Sequence, residues 1–349
     1  MKYRQLGNSG LMVSVVSLGT MTFGGKGGYS VIGTTGVDEA RDLIDLAVDA
    51  GLNLIDTADA YSAGMSEEIL GEVLQGRRDG LLVATKARFP VGTGPNDAGL
   101  SRHHLVRACE ASLRRLNTDY IDLYQVHNWD GRTRLEETLA ALDDLVRSGK
   151  VRYTGCSNFS GWHVMKSLAV SECNRLERYS SMQIHYTLQA REAEQELLPI
   201  AIDQGLGILV WSPLAGGLLT GKYRRDTKPA NGRHLDKDWH EPPIHDTERL
   251  YSIIDALVEV AERRSVAPSV VALAWLIHRP SVTSVIVGGR NSQQLASNLQ
   301  AGSFELASDD LELLDRVSQE PLRYPYWHQA ELARDRLSEA DHAILGPFL

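Results

Sequence analysis

Short apolar runs alternate with longer amphipathic stretches from one end of the chain to the other, and this pattern constrains the fold more than any single motif. The runs are Val15–Leu18, Leu52–Asp56, Leu81–Ala84, Ile121–Tyr124, Tyr153–Cys156, Ser181–Ile184, Gly207–Trp211 and Val285–Val287. Stretches with helical periodicity lie near 38–50, 66–75, 101–116, 133–148, 161–170 and 192–204, and Asp38, Ser66, Ser101 and Thr133 stand where side chains would cap four of them. Strict strand–helix alternation implies a parallel sheet, because parallel strands need a long crossover. Eight such units favour closure into a barrel over an open doubly wound sheet, and no GxGxxG follows any run. The predicted class is α/β, a (β/α)8 TIM barrel formed by residues 1–349 as one domain.

Two additions to that frame are expected. Tyr3 to Val13, turning at Gly7-Asn8-Ser9-Gly10, reads as a β-hairpin ahead of the first barrel strand. Residues 216–247 are polar and rich in Pro, Gly, Asp and His, and read as a long loop after the seventh strand. With 43% hydrophobic and 23% charged residues the chain can bury a large core. A net charge of -9 argues against a nucleic-acid partner, which needs clustered Lys and Arg. No apolar run approaches the ~20 residues that span a bilayer, and Met1 to Gly10 carries no signal-peptide core. Cys109, Cys156 and Cys173 form no CxxC pair, so the expected setting is cytoplasmic and reducing.

In a β/α barrel, chemistry sits at the C-terminal ends of the strands. Here the second strand ends in Asp56, with Tyr61 in the following loop; the third ends in Lys86 and the fourth runs into His127. Any one of these would read as a cap or a solvated charge. Together they converge on one pocket and suit reduction of a carbonyl, in which hydride arriving at carbon leaves an oxygen that needs a proton. Tyr61 is the expected proton donor, with Lys86 lowering its pKa, Asp56 holding Lys86, and His127 donating to the carbonyl oxygen. No metal is needed for this, and neither HExxH nor any zinc spacing among the histidines occurs. Gly216 to Lys222 imitates a Walker A loop, but Tyr223 replaces the required Ser or Thr.

Leu18-Gly19-Thr20-Met21-Thr22-Phe23-Gly24, Asn53 to Ala58 with Tyr61, Ala84-Thr85-Lys86, Ile121 to His127, Gly155-Cys156-Ser157-Asn158-Phe159 and Trp211-Ser212-Pro213-Leu214 resemble, in order, the aldo-keto reductases. The similarity runs from about residue 3 to about 300 and is nearest to the bacterial and plant aryl-alcohol-dehydrogenase-like branch. It implies a tetrad of Asp56, Tyr61, Lys86 and His127. It also implies a nicotinamide cofactor, with Ser157, Asn158 and Gln183 at the carboxamide and Trp211 stacked on the ring. Ser212, Leu214, Gly217 and Lys222 would meet the pyrophosphate under the 216–247 loop, and Gly288, Arg290, Gln294 and Asn298 the adenosine end. Arg290 would suit the 2′-phosphate of NADPH, with NADH the alternative, since Gly288 stands where relatives carry a lysine nearby. Met21, Phe23, Tyr29, Phe89 and Trp129 are the expected walls of a pocket for a small-molecule carbonyl substrate. Tyr324-Pro325-Tyr326-Trp327-His328 either closes that pocket or packs on the barrel's exterior. Oligomeric state, monomer or ring of barrels, stays open.

Two other functions compete with reduction. Potassium-channel β-subunits also resemble the family, which leaves a redox-sensing regulatory subunit with little turnover. A barrel isomerase or aldolase would use Lys86 as a Schiff base, but pairing with Asp56 would keep that amine protonated.

Overall fold

The computed structural model describes every residue except 31, 227–233 and 235–240. Two short strands, β1 (Tyr3–Gln5) and β2 (Met12–Ser14), pair antiparallel as the predicted hairpin. Eight parallel strands follow: β3 (Val16–Gly19), β4 (Leu54–Asp56), β5 (Leu82–Ala87), β6 (Ile121–Val126), β7 (Val151–Ser157), β8 (Tyr179–His185), β9 (Gly207–Trp211) and β10 (Val282–Val287). Each pairs with the next in sequence, and β10 returns to β3, so the barrel closes without an edge. The predicted (β/α)8 TIM barrel is therefore present, with strand ends extended by one to three residues at several positions.

Helices fill the crossovers: α1 (Val37–Asp49), α2 (Met65–Val73), α3 (Arg102–Leu116), α4 (Leu135–Arg147), α5 (Gly161–Asn174) and α6 (Ala193–Gln204). Only Ser101 caps as expected, accepting from the His104 N–H. Gly36, Gly64 and Arg134 occupy the other three capping positions; Asp38 and Ser66 fall inside the first turns, and Thr133 donates to Asp130 instead. Between β9 and β10 the described residues form two α-helices, α7 (Thr247–Arg264) and α8 (Pro268–Ile277), the latter buried from Ser269 to Ile277. Residues 227–233 and 235–240 of the predicted loop at 216–247 lie outside the described residues; its start overlaps a 3-10 turn at Ala215–Thr220.

Beyond β10 come α9 (Ser292–Leu299), α10 (Ser308–Ser318), α11 (Tyr326–Leu332) and α12 (Glu339–Leu345). Ala330, Ile344 and Leu345 form a small cluster of their own beside α6. Tyr324 and Trp327, 75% and 49% exposed, thus sit on the exterior, which decides between the two expectations for that segment.

Two layers follow from the period-2 alternation of strand side chains. Leu54, Ala84, Leu123, Leu209 and Ile286 point into the barrel, where Leu6 and Val13 of the hairpin plug its lower end. The hairpin turn fits tightly against the barrel floor: Gly7 has φ +57, and a Cβ there would lie 2.4 Å from the Gly205 carbonyl oxygen. The outward faces of the strands pack against the helices in one continuous core. Each leucine buried this way contributes ~1.5–3 kcal/mol.

Candidate active site

Two positions above each of three inward apolar residues stands an inward polar one: Asp56 above Leu54, Lys86 above Ala84, Gln125 above Leu123. The same alternation that plugs the barrel below thus raises a buried polar layer at its upper end. His127 continues the β6 column, and Gln183 joins from β8. Lys86 is fully buried and ion-paired to Asp56, and its Nζ also donates to the Thr57 carbonyl at 2.8 Å. Gln183 Nε2 donates to both Asp56 oxygens, at 3.0 and 3.2 Å. This leaves one Lys86 contact for the Tyr61 hydroxyl, at 3.3 Å. The Tyr61 and His127 rings stand 5.7 Å apart, edge to face at 75°, and both line the cavity above.

The electrostatics correct one expectation. The Tyr61 hydroxyl is held well above the usual tyrosine value, first by burial and then by the negative fields of Asp56, Asp59 and Glu241. Tyr61 therefore keeps its proton over the ordinary pH range. Burial, with the charges of Lys86 and Arg88, holds His127 well below its usual value, so its ring is neutral. Burial raises Asp56, while Lys86 and the Gln183 amide pull it back. Tyr29, whose ring lies 5.5 Å from that of Tyr61, is pushed up to about 12 by burial and by Tyr61.

A cavity of about 1150 Å³ opens over this centre and runs from β4 past β9 to the start of α9. Most expected site residues line it: Asp56, Tyr61 and His127; Asn158, Gln183 and Trp211; Ser212, Leu214, Gly217 and Lys222; Gly288, Arg290, Gln294 and Asn298; Met21, Tyr29 and Phe89. Lys86 lies just beneath the wall. Two expected wall residues and one residue expected at the carboxamide stand elsewhere. Phe23 is 1% exposed and belongs to the outer core, because Ser62 takes its carbonyl and fixes the ring under the loop. Trp129 turns away to stack on His163 at 3.8 Å, beside Phe159 and Trp162. Ser157 is buried behind Asn158, whose Nδ2 donates to its hydroxyl. Thr22, Asn128, Glu241 and Ser297 line the cavity unforeseen. Adjacency to His127 and to Asn298 was the only trace of two of them in the sequence.

Ser212, Ala215, Gly216 and Gly217 all have positive φ, between 49° and 97°, and the Ala215, Gly216 and Gly217 N–H groups donate within this turn, to Ser212 and Leu214. At the far end Asn291 caps α9 by accepting from Gln294, and the Gln294 side chain accepts from the Arg290 N–H. That leaves the Arg290 guanidinium exposed beside a helix N-terminus, a pairing that favours phosphate. Trp211 is held flat at the centre: its Nε1 donates to Asn158 at 3.0 Å, and His185 packs beneath its ring at 4.6 Å. A dinucleotide with an aromatic ring at one end and phosphates along its length fits this set of surfaces. Among the described residues, no group of three or more His, Cys, Asp or Glu is arranged to hold a metal ion, and no helix is long and apolar enough to cross a membrane.

Comparison with known proteins agrees with this geometry. Residues 15–319 match the model of the aldo/keto reductase family. An uncharacterized oxidoreductase of Bacillus subtilis, YrpG, is 39% identical over 91% of this chain and 96% of its own. A probable voltage-gated potassium channel β-subunit of rice (Oryza sativa) is 36% identical over 86% of this chain and 91% of its own. Versiconal hemiacetal acetate reductase of Aspergillus parasiticus is 33% identical over 90% and 96%. The eight-stranded barrel, the Asp–Tyr–Lys–His centre at its upper end and the family match over most of the chain converge: this protein is an oxidoreductase of the aldo/keto reductase family.

Proposed function

We propose that the chain, acting as one catalytic unit over residues 1–349, reduces an aldehyde or ketone to the alcohol with NADPH, and that Tyr61 is the proton donor. A nicotinamide coenzyme, when bound, supplies the hydride. Trp211 gives the ring a flat support, and the Gln183 carbonyl oxygen is available to its carboxamide because the Gln183 amide nitrogen is committed to Asp56. The Ser212–Gly217 turn would receive the pyrophosphate, and Arg290 a 2′-phosphate. Tyr61 holds a proton next to the space where a carbonyl oxygen would lie, and neutral His127 can donate a hydrogen bond to that oxygen without being acidic enough to lose its proton. Lys86 keeps the Tyr61 oxygen oriented, and Asp56 anchors Lys86 through their ion pair. Tyr29, Phe89 and Met21 exclude water above them, which strengthens every one of these interactions.

The observation that carries this reading is the Lys86–Tyr61 contact at 3.3 Å, with the ammonium anchored on its far side by Asp56. The test follows NADPH oxidation with 4-nitrobenzaldehyde, for wild type and Tyr61→Phe, and repeats it with NADH. Turnover that falls ~100-fold or more in the variant, with coenzyme binding unchanged, supports the reading. A Tyr61→Phe enzyme within a few-fold of wild type would end it. The channel β-subunit relatives sustain a second reading, a coenzyme-bound sensor. Tight NADPH binding without turnover on any of a broad aldehyde set would favour that one.

A further inference from the structure

Three consecutive residues after Tyr61 adopt left-handed backbone conformations: Ser62 (φ 50, ψ 37), Ala63 (φ 56, ψ 40) and Gly64 (φ 91, ψ -12). Only the last is a glycine. A left-handed conformation crowds Cβ against the backbone, so a non-glycine residue persists there only where its surroundings over-determine it. At Ser62 the surroundings do so through the hydroxyl. The side chain is fully buried; its Oγ donates to the Phe23 carbonyl at 2.9 Å and accepts from the Gly25 N–H at 3.0 Å. Both lone backbone groups belong to the loop between β3 and α1, which supplies Met21, Thr22 and Tyr29 to the cavity. The two loops also approach closely, since a Cβ on Gly24 (φ +98) would lie 2.8 Å from the Ser62 Cβ.

A single hydroxyl therefore ties the segment that carries the proton donor to the segment that roofs it. Tyr61 itself is held by its backbone N–H to Ala58, by its hydroxyl to Lys86 at 3.3 Å and by ring contacts with Tyr29 and His127. A glycine at position 62 would relieve the backbone strain and lose both hydrogen bonds. Alanine would keep the strain and lose them as well. We propose that Ser62 is a positioning residue: its hydroxyl, bridging Phe23 and Gly25, fixes the tilt of the Tyr61 ring against Lys86 and keeps Tyr29 over it. The proposal rests on Tyr61 being the proton donor.

The pair Ser62→Gly and Ser62→Ala separates the hydroxyl from the strain, and Ser62→Gly keeps the protein folded where Ser62→Ala fails to. The readouts are kcat and KM for 4-nitrobenzaldehyde, the solvent deuterium isotope effect on kcat, NADPH affinity and the melting temperature, with Tyr61→Phe run in parallel. The expected result for Ser62→Gly is a kcat lower by ~10-fold, an isotope effect larger than in wild type because proton transfer has become slower, and NADPH affinity within twofold of wild type. Where Ser62→Ala folds, it should show the same fall. A Ser62→Gly enzyme with wild-type kcat and isotope effect would overturn the proposal. So would a fall in kcat that simply tracks lost NADPH affinity or lost folded protein. Near-normal activity in Tyr61→Phe would mark a failure of the underlying mechanism instead.

Discussion

Replacing Asp56 by Asn would remove the counter-charge of Lys86 while leaving an oxygen near Nζ. Lys86 is fully buried and Asp56 only 3% exposed, so solvent cannot take over the lost charge. Breaking a buried pair from one side costs about 3–5 kcal/mol, because the remaining charge is left uncompensated. For a chain of 349 residues, an unfolding entropy near ~2.1 cal/mol/K per residue converts this to a fall of about 4–7 °C in melting temperature. The pH dependence sharpens the test. An unpaired buried ammonium has a folded pKa below its unfolded value of ~10.4, so the cost is full at low pH and fades as pH rises toward that value. Melts of wild type and Asp56→Asn at about pH 7 and about pH 9.5 should therefore converge at the higher pH. Adding Lys86→Met should restore much of the loss, since the stranded charge is then gone. An Asp56→Asn protein that melts with wild type at neutral pH, or a deficit that does not shrink with pH, would refute a charged buried pair.

Two further outcomes follow from the site. Because Tyr61 is held above the ordinary tyrosine range and His127 below the ordinary histidine range, reduction should be flat from about pH 6 to about pH 9, while alcohol oxidation, which needs the phenolate, should climb up to tenfold per pH unit; initial rates in both directions check this, and a reduction rate falling from neutrality would contradict it. Arg290→Gln should raise the KM for NADPH by ~10-fold or more and leave that for NADH within twofold; equal losses for both coenzymes would remove the 2′-phosphate from its role.

The barrel was legible because strand and helix alternate strictly, and the tetrad because inward strand positions recur every second residue and end at chemically active side chains. Helix starts were less legible. Gly36, Gly64 and Arg134 stand at caps where Asp38, Ser66 and Thr133 were expected, since loop geometry rather than side-chain preference set those ends. Phe23 and Trp129 misled because an aromatic near a strand end carries no mark of which way its loop turns. Ser62 pins one into the core, and His163 stacks on the other. The raised Tyr61 pKa was not readable from the proximity of a lysine, as burial and the carboxylates of Asp56, Asp59 and Glu241 outweigh it. The C-terminal helices pack on the helical layer, α10 on α7 and α12 on α6.

The central claim is hydride delivery to a carbonyl from a nicotinamide stacked on Trp211, and isotope transfer tests it most directly. The enzyme would reduce 4-nitrobenzaldehyde with NADPH carrying deuterium at either face of C4, and the alcohol would be analysed by mass. A ring covered on one side by Trp211 can give hydride only from the other, so one label should appear quantitatively at the carbinol carbon and the other not at all. Deuterium from both faces, or coenzyme oxidation with no labelled alcohol, would contradict the account.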